Sequence, residues 1–234
     1  MLAVAVQRVR SEGLQLDYSN IELEDLIRAA GVPRSTVFRV WPDRSSFVVD
    51  LVRALFEADP GFETGFDGET LALLNGAAEA SDPAGPAPER GIALRAVIRA
   101  TAAHNVVAVE GTAAYRAYRT VAAAVASGAG GLGDDQVRVL LAELVERYVD
   151  RMSQLYRGLN DALGLRMRDG VTERDLSRAI MAVIEGMSDH RRIDPSRFDV
   201  PRRVDLGPEG DQDWNLAGLA VYGVYATLTQ PVAD

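Results

Sequence analysis

The sequence contains no cysteine and no lysine, it has only two histidines, and aromatics make up 6% of its 234 residues. Without cysteine there is no disulfide scaffold, zinc ribbon, thiolate nucleophile or iron–sulfur centre. His104 and His190 alone leave little material for a metal site or a Ser-His-Asp triad. Every cation is an arginine, so each positive contact is a planar fork that stays charged. Long apolar runs are scarce too. The longest mostly apolar stretch, Leu216–Leu228, is broken by Tyr222, Tyr225 and Thr227 and is well short of the ~20 residues that span a bilayer. The opening MLAVAVQRVR becomes charged too soon for a signal peptide. A cytoplasmic protein with no membrane partner is therefore the expectation.

Catalytic patterns are missing as well. The glycine-rich run at 128–133 lacks the Lys-Ser/Thr ending and preceding strand of a phosphate loop. The neighbouring Asp134 and Asp135 stand at a helix start, where capping accounts for them. No enzyme activity, catalytic residue, cofactor or metal is expected.

What remains is an ordinary globular composition, 47% apolar and 25% charged with a net charge of −9, long enough for one or two domains. Helical periodicity runs almost everywhere and no segment sustains a period of two, so the fold class is all-α. A first helix occupies residues 1–12 and ends at Gly13. Ser19 stands three residues before Glu22, the spacing of a capping box, and Leu23, Leu26, Ile27 and Ala30 then share one face up to Gly31. Pro33 restarts the chain as a first-turn proline, and the helix it opens runs to Trp41. Asp43 caps a fourth helix that carries Phe47, Val48, Leu51, Leu55 and Phe56. Residues 59–70 and 81–91 are rich in Gly, Pro and acid, with a short apolar segment between them. Beyond lie Ala-rich helices over 92–109 and 113–126 and a roughly thirty-residue helix from Asp134, ~45 Å long. An amphipathic helix over 172–190, a Pro- and charge-rich connection over 191–211 and a last helix near 213–229 complete the chain.

The most specific signal lies in residues 19–47. A helix near 20–30, a turn at Gly31-Val32 and a short helix near 33–40 have the spacing of a helix-turn-helix, whose second helix enters the DNA major groove. From Ile27 to Arg44 there are four arginines (28, 34, 39 and 44) against Asp43 alone, a balance of +3. Residues 61–234 hold 18 Arg against 25 acids, a balance of −7. Positive charge is thus concentrated on the segment that would meet phosphates, on a chain that otherwise repels them.

The run LIRAAGVPRSTVFRVWPDRSSF, residues 26–47, resembles the DNA-binding signature of TetR-type transcriptional regulators, over about a fifth of the chain. The resemblance implies a three-helix DNA-binding domain over 1–58, with the fourth helix (43–58) as connector, and an effector-binding and dimerisation domain over 59–234. It also implies roles by matched position. Arg34 and Ser35 read base edges, and a bidentate arginine–guanine contact discriminates by ~1–3 kcal/mol. Thr36, Arg39 and Arg44 meet the backbone, as do Ser19 and Asn20 near a helix N-terminus, and Phe38 stands on the same DNA-facing helix without the hydroxyl that could bond phosphate. Phe38 replaces the usual Tyr, Pro33 the usual cap Ser, and Val40 a position often polar. No N-terminal basic arm precedes the first helix, so few phosphate contacts and a shallow salt dependence are expected.

The effector is expected among His104, Asn105, Tyr115, Tyr118, Tyr148, Met152 and Tyr156, polar or aromatic positions and one methionine on apolar helices. Plain core is the alternative for each aromatic, and a surface or hydrogen-bonded histidine for His104. Apolar faces on the last two helices, Leu176, Ile180, Val183, Ile184 and Met187 on one and Leu216, Leu219 and Gly223 on the other, suggest a homodimer interface. Burial within one chain is the alternative. The functional expectation is a repressor that leaves a palindromic double-stranded operator when a small molecule binds. A helical dimer with weakened DNA binding, acting through protein or ligand binding only, is the competing expectation.

Overall fold

The computed structural model describes residues 1–15, 21–57, 68–79, 85–128 and 134–232. They form eleven helices and four short strands, so the chain is predominantly helical. In order these are α1 (Leu2–Glu12), α2 (Leu23–Ala30), α3 (Arg34–Val40), α4 (Arg44–Glu57), α5 (Gly68–Glu79), α6 (Ala87–Glu110), α7 (Ala113–Ser127) and α8 (Asp134–Ala162). There follow β1 (Leu165–Met167), α9 (Glu173–Ile193), α10 (Pro195–Phe198), β2 (Arg202–Asp205), β3 (Asp211–Trp214), α11 (Leu216–Leu228) and β4 (Thr229–Pro231). The expected capping box at Ser19 and the glycine run at 129–133 lie outside the described residues.

The helices pack as two units. The first comprises α1–α4, α7 and the part of α8 up to Glu146. Its core brings together Ala5 and Val9 of α1, Leu26 of α2, Phe47, Leu51 and Leu55 of α4 and Ala117 of α7, with Ile21 beside them. Burying each of the larger side chains contributes roughly 1.5–3 kcal/mol. The sequence boundary after residue 58 does not coincide with this unit, because α7 returns a small alanine face to α1 and α4. The expected connector α4 is itself a core helix, with Phe47, Val48, Val49, Leu51, Val52 and Leu55 buried.

The second unit comprises α5, α6, the rest of α8 and everything after it. Helix α11 is apolar nearly all round and is accordingly covered, by α6 and α9. Gly218 of α11 lies against the α6 backbone, where a Cβ would stand 3.6 Å from the Arg99 Cα, an ordinary packing distance. Helix α9 opens on a capping box. Thr172 Oγ1 accepts from the Asp175 N–H and Asp175 Oδ2 accepts from the Thr172 N–H. The Thr172 hydroxyl and then its N–H, both donating to Asp175 Oδ2, hold the Asp175 carboxyl below its usual value.

Several sequence expectations need correction. Pro33 is not the first helical residue of α3; it is the extended N-cap, and it offers no side-chain acceptor. The connection over 191–211 contains α10 and β2, and β2 pairs antiparallel with β3, Arg202 opposite Trp214. A second antiparallel pair joins β1 to β4. These strands are three or four residues long, too short to sustain a visible alternation. Nor is Leu216–Leu228 the longest apolar stretch. Pro88–Glu110, within α6, is long and apolar enough by length and composition to cross a membrane. Arginines at 90, 95 and 99 and His104 conceal that average in the sequence. In the fold α6 packs against α5, α9 and α11, and its Arg95 is buried in an ion pair with Glu209, Nε to Oε1 at 2.5 Å.

Candidate functional site

Helices α2 and α3 are joined by three residues, Gly31–Pro33. Gly31 adopts left-handed dihedrals, φ 62° and ψ 28°, a conformation that a Cβ disfavours. Its N–H and that of Val32 close the end of α2 on the Arg28 and Ile27 carbonyls. The chain then extends through Pro33 and enters α3. Leu26, Val37 and Phe47 are buried and fix α2, α3 and α4. Trp41 packs edge-on against Phe47 with ring centroids 5.1 Å apart, and its Nε1 donates to Asp50 Oδ2 at 2.8 Å. Asp43 caps α4 by accepting from the Ser46 N–H at 2.8 Å, and this bond draws its carboxyl pKa down.

That scaffold leaves Arg34, Ser35, Thr36 and Arg39 exposed on α3, with only Val37 buried. Arg44 is exposed at the start of α4. Arg34 is not idle: its Nη2 lies 2.8 Å from Glu24 Oε1 on α2. Its guanidinium carbon sits 5.2 Å from the centroid of the Phe38 ring. Phe38 is half-buried and acts here as a platform for Arg34. Arg28 pairs with Asp25 within α2. Glu24 thus faces the basic helix while Asp25 neutralises Arg28 within α2, and the Ile27–Arg44 charge count missed both by beginning after them. Ser19 and Asn20 fall outside the described residues.

The second unit holds an interior cavity of about 50 Å³. Its walls come from α5 (Thr70, Leu74), α6 (Val97, Ile98, Thr101, Ala102, Asn105), α8 (Tyr148, Tyr156, Leu159), α9 (Ile180, Ile184) and α11 (Val221, Tyr225). No ionisable carboxylate, arginine or histidine is among them. Burial pushes the Tyr156 and Tyr225 hydroxyls well above the usual phenol value, so both stay protonated. Tyr225 donates to Asn160 Oδ1 at 2.5 Å. Asn105, Tyr148 and Tyr156 were expected at an effector site, and the cavity brings them together.

The other four effector candidates lie elsewhere. His104 half-faces solvent with Nδ1 3.7 Å from Glu69 Oε2. Met152 is core on α8. Tyr115 and Tyr118 are core residues of the first unit, their rings 6.3 Å apart on α7. Their helical spacing reflects packing. Thr70 and Thr101 were missed, although Val97, Thr101 and Asn105 at four-residue intervals mark one helix face carrying two polar groups.

The expected dimer face also changes. Leu176, Ile180 and Ile184 are buried within the chain, where α9 packs on α11 and α6. Val183, Met187, Leu216 and Leu219 are partly exposed and Gly223 is exposed. Comparison of the chain with protein-family models, curated proteins and solved structures gives no match.

Proposed function

We propose that the chain is a DNA-binding transcriptional regulator of the TetR type, a homodimeric repressor whose affinity for a palindromic operator falls when a small molecule binds. The observation that carries this reading is α3. It is a short helix set by a left-handed glycine turn, with Arg34, Ser35, Thr36 and Arg39 all exposed, on a chain of net charge −9. In such an interface Arg34 takes guanine O6 and N7. Arg39, Arg44 and the Thr36 hydroxyl meet phosphates, which position the helix.

The uncharged cavity wall suits a neutral, largely apolar effector. At about 50 Å³ the cavity is far below the ~300–1,000 Å³ of ordinary ligand sites, so the effector selects an expanded conformer. The effect on DNA then equals the ratio of its affinities for the two conformers.

A second reading, a helical protein whose DNA binding has weakened, is favoured by the Glu24–Arg34 pair and by Val40, 55% exposed where a polar residue is usual. One experiment separates the two. Fluorescence anisotropy on DNA selected from a randomised duplex pool should show salt-dependent binding that Arg34→Ala weakens by roughly ten- to a hundredfold. Selection that enriches no sequence favours the second reading, and an unchanged affinity in Arg34→Ala removes that residue from the base-reading role.

A further inference from the structure

One polar group on the wall of the interior cavity, the Tyr156 hydroxyl, has no hydrogen-bond partner among the described residues. Its polar neighbours differ. Thr101 Oγ1 donates to the Val97 carbonyl of its own helix at 2.7 Å, Tyr225 donates to Asn160, and Thr70, Asn105 and Tyr148 have contacts of their own. A buried donor left unmatched is costly, and folded proteins keep few of them, each calling for an explanation. Tyr156 is also held in place. Its ring packs edge-on against Tyr225, centroids 6.0 Å apart at 81°, and the bond to Asn160 fixes Tyr225 in turn at 2.5 Å. The donor is therefore positioned before any guest arrives, which lowers the cost of binding one.

The rest of the wall selects the guest. Among the described residues no charged side chain lines the cavity, so an ion would lose its hydration with no counter-charge to replace it. Leu74, Ile98, Leu159, Ile180 and Val221 offer apolar surface. A carbonyl oxygen accepts without donating, so it matches the phenol O–H and leaves no donor of its own unpaired against that surface. At about 50 Å³ the cavity has room for water, and an organic guest needs one wall to give. Helix α5 is that wall. It packs chiefly on α6, only its Thr70 is fully buried, and its Leu74 lines the cavity while half-buried.

We propose that the cavity binds a small neutral carbonyl compound, a ketone, aldehyde or ester on an apolar body, with its carbonyl oxygen accepting from the Tyr156 hydroxyl and its body beneath α5. The inference rests on the effector site of the proposed function and names the class of molecule that site takes.

The test is a series on one ring, acetophenone, ethylbenzene and benzoate, titrated into the full-length chain by isothermal calorimetry without DNA. Acetophenone should bind about tenfold more tightly than ethylbenzene, the scale of one buried neutral hydrogen bond, and benzoate should not saturate. Tyr156→Phe keeps the ring and should bring acetophenone to the level of ethylbenzene. Leu74→Ala widens the cavity from α5 without touching a polar group and should tighten both neutral ligands. Thermal unfolding of the ligand-free chain adds a second readout. Tyr156→Phe should leave Tm unchanged or raised, whereas Tyr225→Phe, which removes the bond to Asn160, should lower it. Full acetophenone affinity in Tyr156→Phe, ethylbenzene or benzoate binding as tightly as the ketone, unchanged affinities in Leu74→Ala, a Tm loss in Tyr156→Phe equal to that in Tyr225→Phe, or no saturable binding by any of the three would each overturn the proposal. The two readings fail separately: ketone binding by a chain that selects no DNA overturns the repressor alone, and DNA selection by a chain that binds no ketone overturns this inference alone.

Discussion

Arg34 in the free protein is shared between two neighbours, Glu24 at 2.8 Å and the Phe38 ring at 5.2 Å. Both contacts organise the guanidinium, but in the proposed complex with DNA they would act oppositely. The ring lets it stay extended over an apolar surface, whereas Glu24 competes with a guanine edge for the same N–H donors and repels phosphate. Both partners of the ion pair are more than half exposed, so the pair is worth at most ~1 kcal/mol. Glu24→Gln should therefore raise operator affinity by up to about fivefold in anisotropy titrations, with the larger gain at low salt. Phe38→Ala should lower it by releasing Arg34 from its platform. A loss of affinity in Glu24→Gln would mean that the carboxylate orients Arg34 for the base. The basic face was legible in the sequence because Gly31, Arg34 and Arg39 fall at fixed offsets in one short run. The Glu24 pairing was not, since it joins residues on different helices and depends on the crossing of α2 and α3.

Among the elements, the β2–β3 hairpin shows most clearly what periodicity conceals. Its strands contain Arg, Asp and Gln, and it reads as a polar connection, yet Trp214 at its end is 1% exposed. Glu209, in the turn, makes a bidentate ion pair with Arg95, whose side chain is 8% exposed on α6. Arg99 reaches Gln212 and lies 5.7 Å over the Trp214 ring. These links span more than a hundred residues of sequence, so only the folded chain reveals them. By contrast, α9 was legible to within one residue at its start, because its cap is local: Thr172 and Asp175 are three positions apart.

The hairpin contacts imply a pH dependence with a definite sign. The Arg95 guanidinium beside Glu209 lowers the carboxyl below its usual 4.5. A depressed carboxylate stabilises the fold above the unfolded value and loses that contribution as pH falls through the folded one. Glu209→Gln should thus cost about 2–3 kcal/mol near neutrality, somewhat less than a fully buried pair, because Glu209 keeps 18% of its side chain exposed. The Tm gap between variant and wild type should be full above pH 4.5 and shrink below it. A gap that stays constant across that range would show that the Glu209 charge is not what stabilises the hairpin, and no gap at any pH would leave its stability to Trp214 packing.

At the scale of the whole molecule, the proposed DNA binding should respond to salt as the charge distribution dictates. The chain carries −9 overall, and on the proposed reading its basic helix face supplies the attraction. Arg28 is tied to Asp25 and Arg34 is assigned to a base. On the proposed reading the phosphate contacts are assigned by matched position to Arg39 and Arg44, two in each copy of the chain. Counterion release gives a slope of about −0.9 in log K against log salt for each phosphate neutralised. A single copy on DNA should show a slope near −2, and two copies bound together a slope near −4. Affinity measured from ~50 to ~200 mM salt resolves the two values, because fourfold dilution changes K by about tenfold in one case and by more than a hundredfold in the other. Arg39→Ala should flatten the slope by about one unit per copy, while Arg34→Ala lowers affinity at constant slope if its role is base recognition. A steep slope in wild type that both variants leave intact would place the contact surface elsewhere on the chain.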